Sequence, residues 1–493
     1  MKPVRHPIPA ALVLVAALEA SADADLRASY KDDFILETAD SAFQLKIRGN
    51  LHLDLRLFQG EARGAPHSID IRRARFDLQG RLHRLFTFRV QPEFAGKPYI
   101  RNAWLDIGPL SWLHLRLGQM KLPFSSSWLT RDNNVNFVER GTSTPILPFF
   151  DRGAILWGEL LDGAVFYNLG LFTGVGVDAD VSAGDVDDFK ELAGRLFVQP
   201  LRHLELEPLQ GLYLVAEGTW GPMSVPTRRY ETGGLRSANR DTAIWSWRTE
   251  QTVGTDGRVR DRVSAEVDSR YRLGGELHYL YGPFACSAEY LEAHYPEIVL
   301  YHDLFVGSSR KVHQPLLETG GVVRALSIWA SVYLTGEHKR LTNGGWRTAE
   351  PETCVGAGGP GAWELLGRYS KTWTARPLFR GVEVPGYSAS SPMLPEGHAS
   401  SLPGAGNSVT AAVLDGAHEV HEFTLGLNWT LNPMVRFQLD DVLLWAPEND
   451  RDGDGGNDNL LLSGARSGQS DPDLKNRKSR WENAVMARLI FKL

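Results

Sequence analysis

With two cysteines in 493 residues, Cys286 and Cys354, the chain has no disulfide framework; the two lie far apart, allow one bridge at most, and are read as incidental. No run of about 18 apolar residues follows the N-terminus, which excludes a helical membrane protein. Also missing are G-x-S-x-G, a C-x-x-C pair, a Walker loop and a dinucleotide-binding glycine fingerprint, so no common local signature of an enzyme or cofactor site is present. Dispersed Ser, His and Asp residues leave no local mark, and a catalytic reading survives only as an alternative. What is present is an ordered composition: 43% hydrophobic, 23% charged and 10% aromatic residues, with 49 Gly and 27 Pro. Such an average also suits a transmembrane β-barrel, whose strands alternate apolar and polar residues.

The N-terminus reads as an export signal. Lys2, Arg5 and His6 precede an apolar stretch from Ile8 to Leu18, and Ser21-Ala22-Asp23-Ala24 supplies an A-x-A type cleavage site. Residues 1–24 are therefore expected to be removed, 25–42 to lead in from the periplasm, and 43–493 to form one domain. Charge is distributed unevenly. Ser41 to Arg140 carries 16 Lys and Arg against 8 Asp and Glu, so in a chain of net charge −6 the remainder carries −14. A basic block in an acidic protein predicts a local field for anions, not nucleic-acid binding.

From Phe43 to Phe58 the odd positions hold Phe43, Leu45, Ile47, Leu51, Leu53, Leu55 and Leu57, and the even ones Gln44, Lys46, Arg48, Asn50, His52, Asp54 and Arg56. Period 2 over this length is a strand long enough to cross a membrane. Shorter alternation recurs at 74–82, 88–94, 113–117, 165–171, 271–281, 423–429, 435–439 and 485–493. One face is Leu-rich and aromatic while the other carries Arg and Lys. A soluble secreted sandwich, for instance one binding acidic glycans, cannot bury the second face, whereas a barrel with lipid outside and water inside satisfies both. The predicted fold is all-β: a closed antiparallel transmembrane barrel of about 16 strands, with long extracellular loops, some folded into the pore. Trp104, Trp112, Tyr281, Trp429 and Trp445 are expected in the interfacial girdles. Gly108-Pro109-Leu110, Gly282-Pro283 and Leu431-Asn432-Pro433 read as tight turns; about 130–153, 225–268, 374–420 and 447–481 read as long external loops.

The sharpest motif is Ile71-Arg72-Arg73-Ala74-Arg75-Phe76-Asp77-Leu78-Gln79-Gly80, where Arg73, Arg75, Asp77 and Gln79 share the polar face. Guanidiniums stay charged and present planar forks to oxyanions, so a row of them facing a lumen makes an anion path; ion pairing with neighbouring acids is the plainer alternative. Arg228, Arg229, Arg236, Arg240, Arg248, Arg258, Arg260 and Arg262 crowd one long connection with Trp245 and Trp247, which on an exported barrel fits a loop entering the pore or meeting lipopolysaccharide phosphates. Asp450, Asp452, Asp454 and Asp458 follow the first half of a calcium loop, but position twelve is Leu461, and a flexible acidic loop is the simpler reading. His418, Glu419, His421 and Glu422 are spaced so that i, i+3 residues point to opposite faces of a strand, which argues against a metal site.

Several strings resemble the phosphate-selective porin O/P family in order: Arg72-Arg73-Ala74-Arg75-Phe76 with Gly80, Leu115-Arg116-Leu117-Gly118-Gln119-Met120-Lys121-Leu122-Pro123-Phe124, Phe137-Val138-Glu139-Arg140, Gly361-Ala362-Trp363-Glu364-Leu365, and Thr424-Leu425-Gly426-Leu427-Asn428-Trp429. The resemblance implies a sixteen-stranded outer-membrane barrel, a homotrimer of passive channels for small anions, phosphate above all, with no cofactor. It implies pore roles for Arg72 and Arg73, for Arg140, and for the Arg228/Arg229 region, to which the polar face of 71–80 adds Arg75 and the arginine-rich connection adds Arg236. Asn50 stands where the resemblance implies a basic residue, Arg75 where phosphate-specialised members carry an aromatic, and Leu493 where a terminal aromatic is usual. The first two departures bear on phosphate specificity rather than on anion preference, and leave a general diffusion porin, or a barrel enzyme or adhesin, as alternatives.

Overall fold

The structure is a computed structural model that describes residues 26–31, 33–59, 67–96, 98–174, 188–222, 235–236, 243–247, 250–253, 259–306, 309–384, 409–449, 459–462 and 478–492. Sixteen strands form its wall: β1 Gln44–Gln59, β2 Ser68–Leu82, β3 Phe86–Glu93, β4 Tyr99–Leu110, β5 Leu113–Lys121, β6 Phe150–Leu160, β7 Val165–Phe172, β8 Glu191–Val198, β9 Leu212–Pro222, β10 Ser269–Tyr281, β11 Phe284–Val306, β12 Ser309–Tyr333, β13 Ala362–Thr374, β14 Glu419–Asn432, β15 Val435–Trp445 and β16 Trp481–Lys492. Each pairs antiparallel with the next, and β16 returns to β1 from Lys492 opposite Asn50 to Asn483 opposite Gln59. Closure removes the free edges whose unpaired N–H and C=O groups cost several kcal/mol each in hydrocarbon.

The period-2 reading of β1 holds in space. His52, Asp54 and Arg56 point into the lumen and are buried, while Leu55 and Leu57 are exposed on the outer wall, as are Leu115, Leu117, Leu169, Leu171 and Leu425 on other strands. The strings at Trp363 and Trp429 lie on adjacent strands in register, their indoles stack 4.8 Å apart, and both ring N–H groups donate to Pro360 O. Trp112, Tyr281 and Trp445 are exposed near strand ends, as a girdle requires. Trp104 departs from that expectation. It shares the parity of the lumen-facing Asn102 and Asp106, and its ring lies 4.3 Å from the Arg116 guanidinium, which Trp157 approaches from another side at 5.3 Å.

Most connections at one end are short, at 83–85, 111–112, 161–164, 282–283 and 433–434; Gly108-Pro109-Leu110 ends β4, and the turn follows at Ser111 and Trp112. The other end carries long loops at 122–149, 223–268, 375–418 and 446–480. β11 and β12, with 23 and 25 residues, run far beyond the roughly 9–11 needed to cross a membrane. Their extensions contribute Leu291, Ile298, Leu300 and Val323 to an apolar core shared with Val413, Leu414, Val420, Leu444 and Leu461. Trp128, Ile146 and Leu147 of the 122–149 loop belong to the same core, which holds that loop from the long-loop end. A hairpin of Leu26–Lys31 and Asp33–Thr38 pairs with the foot of β1 below the end of β16, Phe34 lying opposite Ile47 and Glu37 opposite Gln44. Cys286 and Cys354 are both free thiols.

Candidate functional site

The lumen is crossed by two segments, one from each end. From the long-loop end, the 122–149 segment, here the inner loop, is launched by the Gly118–Phe124 string. Gly118 has φ +127° and a Cβ there would meet Ala103 O at 2.2 Å, so glycine is required. Gln119 donates to Ile100 O, Lys121 Nζ donates to the carbonyls of Trp128 and Thr130, and Leu122 and Phe124 are buried.

Two carboxylates of the inner loop gather Arg72, Arg73, Arg75 and Arg140, four of the arginines that the sequence singles out. Asp132 pairs with Arg73 at 3.3 Å, with Arg140 at 3.4 Å and with Arg75, which also holds Glu93. Glu139 pairs with Arg72 at 2.9 Å, Arg56 at 2.9 Å and Arg488 at 3.3 Å. Burial opposes the charge of Asp132, yet Arg73, Arg75, Arg140 and Lys121 outweigh it and hold its carboxyl well below the usual range. Consecutive residues of a strand normally face opposite ways, but the β1–β2 register shifts between His52 opposite Arg73 and Leu53 opposite Ile71. That bulge lets Arg72 reach Glu139 while Arg73 reaches Asp132. The rest of the inner loop is tied by its backbone: Val138 N–H donates to Asp440, Arg368 donates to Glu139 O, Arg436 and Gln438 donate to Val135 O, and Asn428 donates to Asn136 O. Arg368 also stacks 4.3 Å above the buried Phe137 ring.

From the short-turn end comes a segment that the sequence reading did not single out, the 334–361 connection between β12 and β13. Its strands Arg340–Thr342 and Gly345–Arg347 form a hairpin. Gly345, at φ +90°, passes so close to the inner loop that a Cβ would meet Thr130 N at 2.5 Å, and Trp346 N–H donates to Thr130 Oγ1. The Trp346 ring packs edge-on against Trp329 at 4.6 Å. Lys339 pairs with Glu364 and donates to Asn136, and Arg195 on β8 donates to Asn343. The one sequence signal for this insertion is the Gly356-Ala357-Gly358-Gly359-Pro360 run, which marks a connection but not its direction.

Where the two segments meet, positive charge is left over. Arg48 pairs with Asp33 and Arg89 forks onto Asp77 at 2.8 and 2.6 Å. Beside them Arg131 of the inner loop and Arg347 of the insertion have no carboxylate partner among the described residues. Burial, then Arg89, Arg347 and Arg48, push the Arg131 guanidinium below its ordinary value; burial, Arg48, Arg340 and Arg89 do the same to Arg347. Arginines that raise the cost of one another's charge form a local field seeking anions.

A model of the phosphate-selective porin O and P family matches residues 45–443. The chain belongs to that family. The porin matches no curated protein sequence. Among solved structures it is similar to OmpT of Vibrio cholerae (10% identity, 92% of this chain and 98% of that chain, TM-score 0.47). It is also similar to the anion-selective porin from Comamonas acidovorans (9%, 92% and 100%, 0.44) and to the outer-membrane channel DcaP of Acinetobacter baumannii (8%, 95% and 100%, 0.44). Membership of that family makes the porin a bacterial outer-membrane channel protein; in such barrels the short turns are periplasmic and the long loops extracellular.

Of the other sequence candidates, Arg228 and Arg229 lie outside the described residues, as do Asp450, Asp452, Asp454 and Asp458; Arg236 falls in the short strand Leu235–Arg236, where its side chain is not described. Glu419 and His421 pair on the outer wall at 3.1 Å, whereas Glu422 points inward to Arg368.

Proposed function

We propose that the protein is a passive, anion-selective channel for phosphate or related oxyanions. The observation that carries this reading is the pair Arg131 and Arg347, presented by the two lumen-crossing segments without carboxylate partners among the described residues and backed by Arg48 and Arg89. In this account Arg72, Arg73, Arg75 and Arg140 have a double role: they hold the inner loop through Asp132 and Glu139 and line the approach to the unpaired cations. A graded row of partly compensated arginines suits flux better than one tight clamp. Holding phosphate at a Kd of about 1 μM is a well of about 8 kcal/mol, and with an on-rate near 10⁷ M⁻¹s⁻¹ release falls to about 10 per second. Shallow successive sites let the ion leave. The working assembly in this proposal is a homotrimer, the state that the family resemblance implies, and its mass in detergent tests it.

The experiment is a planar-bilayer recording in a chloride gradient with phosphate added to one side. An anion-directed reversal potential and a phosphate-dependent fall in chloride current support the reading; cation selectivity removes it, and anion selectivity without a phosphate effect reduces it to a general anion porin.

A further inference from the structure

Across the lumen from the arginine wall, three carboxylates converge. Glu217 on β9, Glu276 on β10 and Glu289 on β11 each place an oxygen within 4.8 Å of the others, and all three are buried. Glu276 and Glu289 sit directly opposite each other in the β10–β11 register, an arrangement of like charges that destabilises a bare sheet. Gly274, opposite Glu217, makes room for it: a Cβ there would meet Glu217 Cγ at 2.7 Å.

Donors around the cluster reach all three groups. Arg195 Nε donates to Glu217 Oε2 at 3.0 Å, Ser126 N–H to Glu276 Oε1 at 2.9 Å, and the Ser125 hydroxyl to Glu289 Oε1. Arg195 also lies 3.5 Å from Glu276 Oε1, and His278 Nε2 lies 2.8 Å from Glu276 Oε2. Glu217 Oε1 is enclosed on a side chain with no solvent exposure and has no hydrogen-bond partner. An enclosed carboxylate oxygen without a donor costs free energy unless a proton or a cation meets it. The charges point to the cation. Three carboxylates share one arginine, Arg195, with Arg140 committed to Asp132, an excess of acidic groups that one divalent ion offsets. Entry is available, because Glu276 and Glu289 line a cavity between the inner loop and the wall, together with Ser287, Ser327 and Trp346.

We propose that Glu217, Glu276 and Glu289 bind one divalent cation of the oxygen-preferring class, calcium or magnesium, beneath the start of the inner loop. Carboxylate oxygens are the ligands that this class takes, with water from the cavity filling the remaining positions. The ion would lock the base of the loop, where Ser125 is held at φ +59° between Glu289 and the helical turn Ser126–Leu129. This inference is independent of anion selectivity.

The test uses the full chain in detergent, stripped with a chelator and titrated with Ca²⁺, Mg²⁺ and, as a luminescent probe, Tb³⁺. Expected results are one bound ion per chain, a rise in thermal unfolding temperature on adding Ca²⁺ or Mg²⁺, and tryptophan-sensitised Tb³⁺ emission, from Trp346 nearby, that Ca²⁺ competes away. Glu217→Gln and Glu289→Gln should each weaken binding at least tenfold. Stripped wild type that takes up no ion and gives no sensitised emission overturns the proposal, even if neither variant folds. So does a cluster whose thermal unfolding follows pH but no divalent ion, the outcome expected if it holds protons. Binding that survives both substitutions places the ion elsewhere and also overturns it.

Discussion

Glu139 Oε1 accepts from Arg72 Nε at 2.9 Å and, on the same oxygen, meets Arg56 at 2.9 Å and Arg488 at 3.3 Å. One loop carboxylate thus gathers arginines from β1, β2 and β16, the strands at which the barrel closes, with Asp54 holding Arg56 and Arg488 as well. Asp132 does the same for Arg73, Arg75 and Arg140. The inner loop is an electrostatic keystone, and its two acids set how much of the arginine wall remains unneutralised.

Glu139→Gln should therefore do two things at once. Breaking a buried pair from one side costs about 3–5 kcal/mol, so the heat-resistant folded band on a gel should convert at lower temperature. Arg72, whose ion pair is with Glu139, should at the same time be freed and raise the anion-to-cation permeability ratio. A loss of stability with no change in ratio would restrict Glu139 to scaffolding.

Arg73→Ala and Arg131→Ala should separate the two kinds of arginine. Arg73 is buried against Asp132 and His52, so its loss should destabilise the inner loop. Arg131 has no such partner, and its loss should leave unfolding unchanged. With about 1 kcal/mol for a unit charge at 4 Å in water, removing it should lower the permeability ratio about two- to fivefold. Unfolding and reversal potential measured on both variants check the contrast.

How much of this was legible in the residues follows from range. Alternation at Phe43–Phe58 is local, and it predicted which side chains of β1 face lipid and which face the lumen. The parity that places Trp104 inward beside Asn102 and Asp106 is local too, but its aromatic character alone suggests the girdle, and only the bounds of β4 put it at mid-strand. The partners of Arg72 and Arg73 lie 67 and 59 residues away on a loop whose path no periodicity records. The same limit hides the carboxylate cluster: parity alone turns Glu217, Glu276 and Glu289 inward, and only the registers of β9, β10 and β11 bring them together. For the 334–361 insertion the glycine run signals a connection, while the docking of Trp346 on Trp329 that draws it into the lumen is tertiary.

Trp346→Ala should loosen that insertion. Truncating a buried tryptophan costs about 3–5 kcal/mol, and here it also removes the ring that braces Trp329 and His278. Single-channel conductance should rise and become noisier. Unchanged conductance would mean that the insertion does not narrow the route.

Leu425→Arg tests the orientation of the wall. Leu425 is 69% exposed on the outer face of β14, and an arginine at mid-membrane depth costs about 2–4 kcal/mol. Folding into lipid vesicles, followed by gel mobility, should be impaired, whereas Thr424→Ser, on the lumen face, should fold as wild type.

The most direct test of the central claim is the reversal potential of the reconstituted channel in a tenfold potassium chloride gradient, compared between wild type and the Arg131→Ala/Arg347→Ala double variant. The account predicts an anion-directed potential in wild type that moves most of the way to zero in the double variant and shrinks in 1 M salt, where the screening length falls to about 3 Å. A cation-directed potential in wild type, or an anion-directed one unchanged in the double variant, would contradict it.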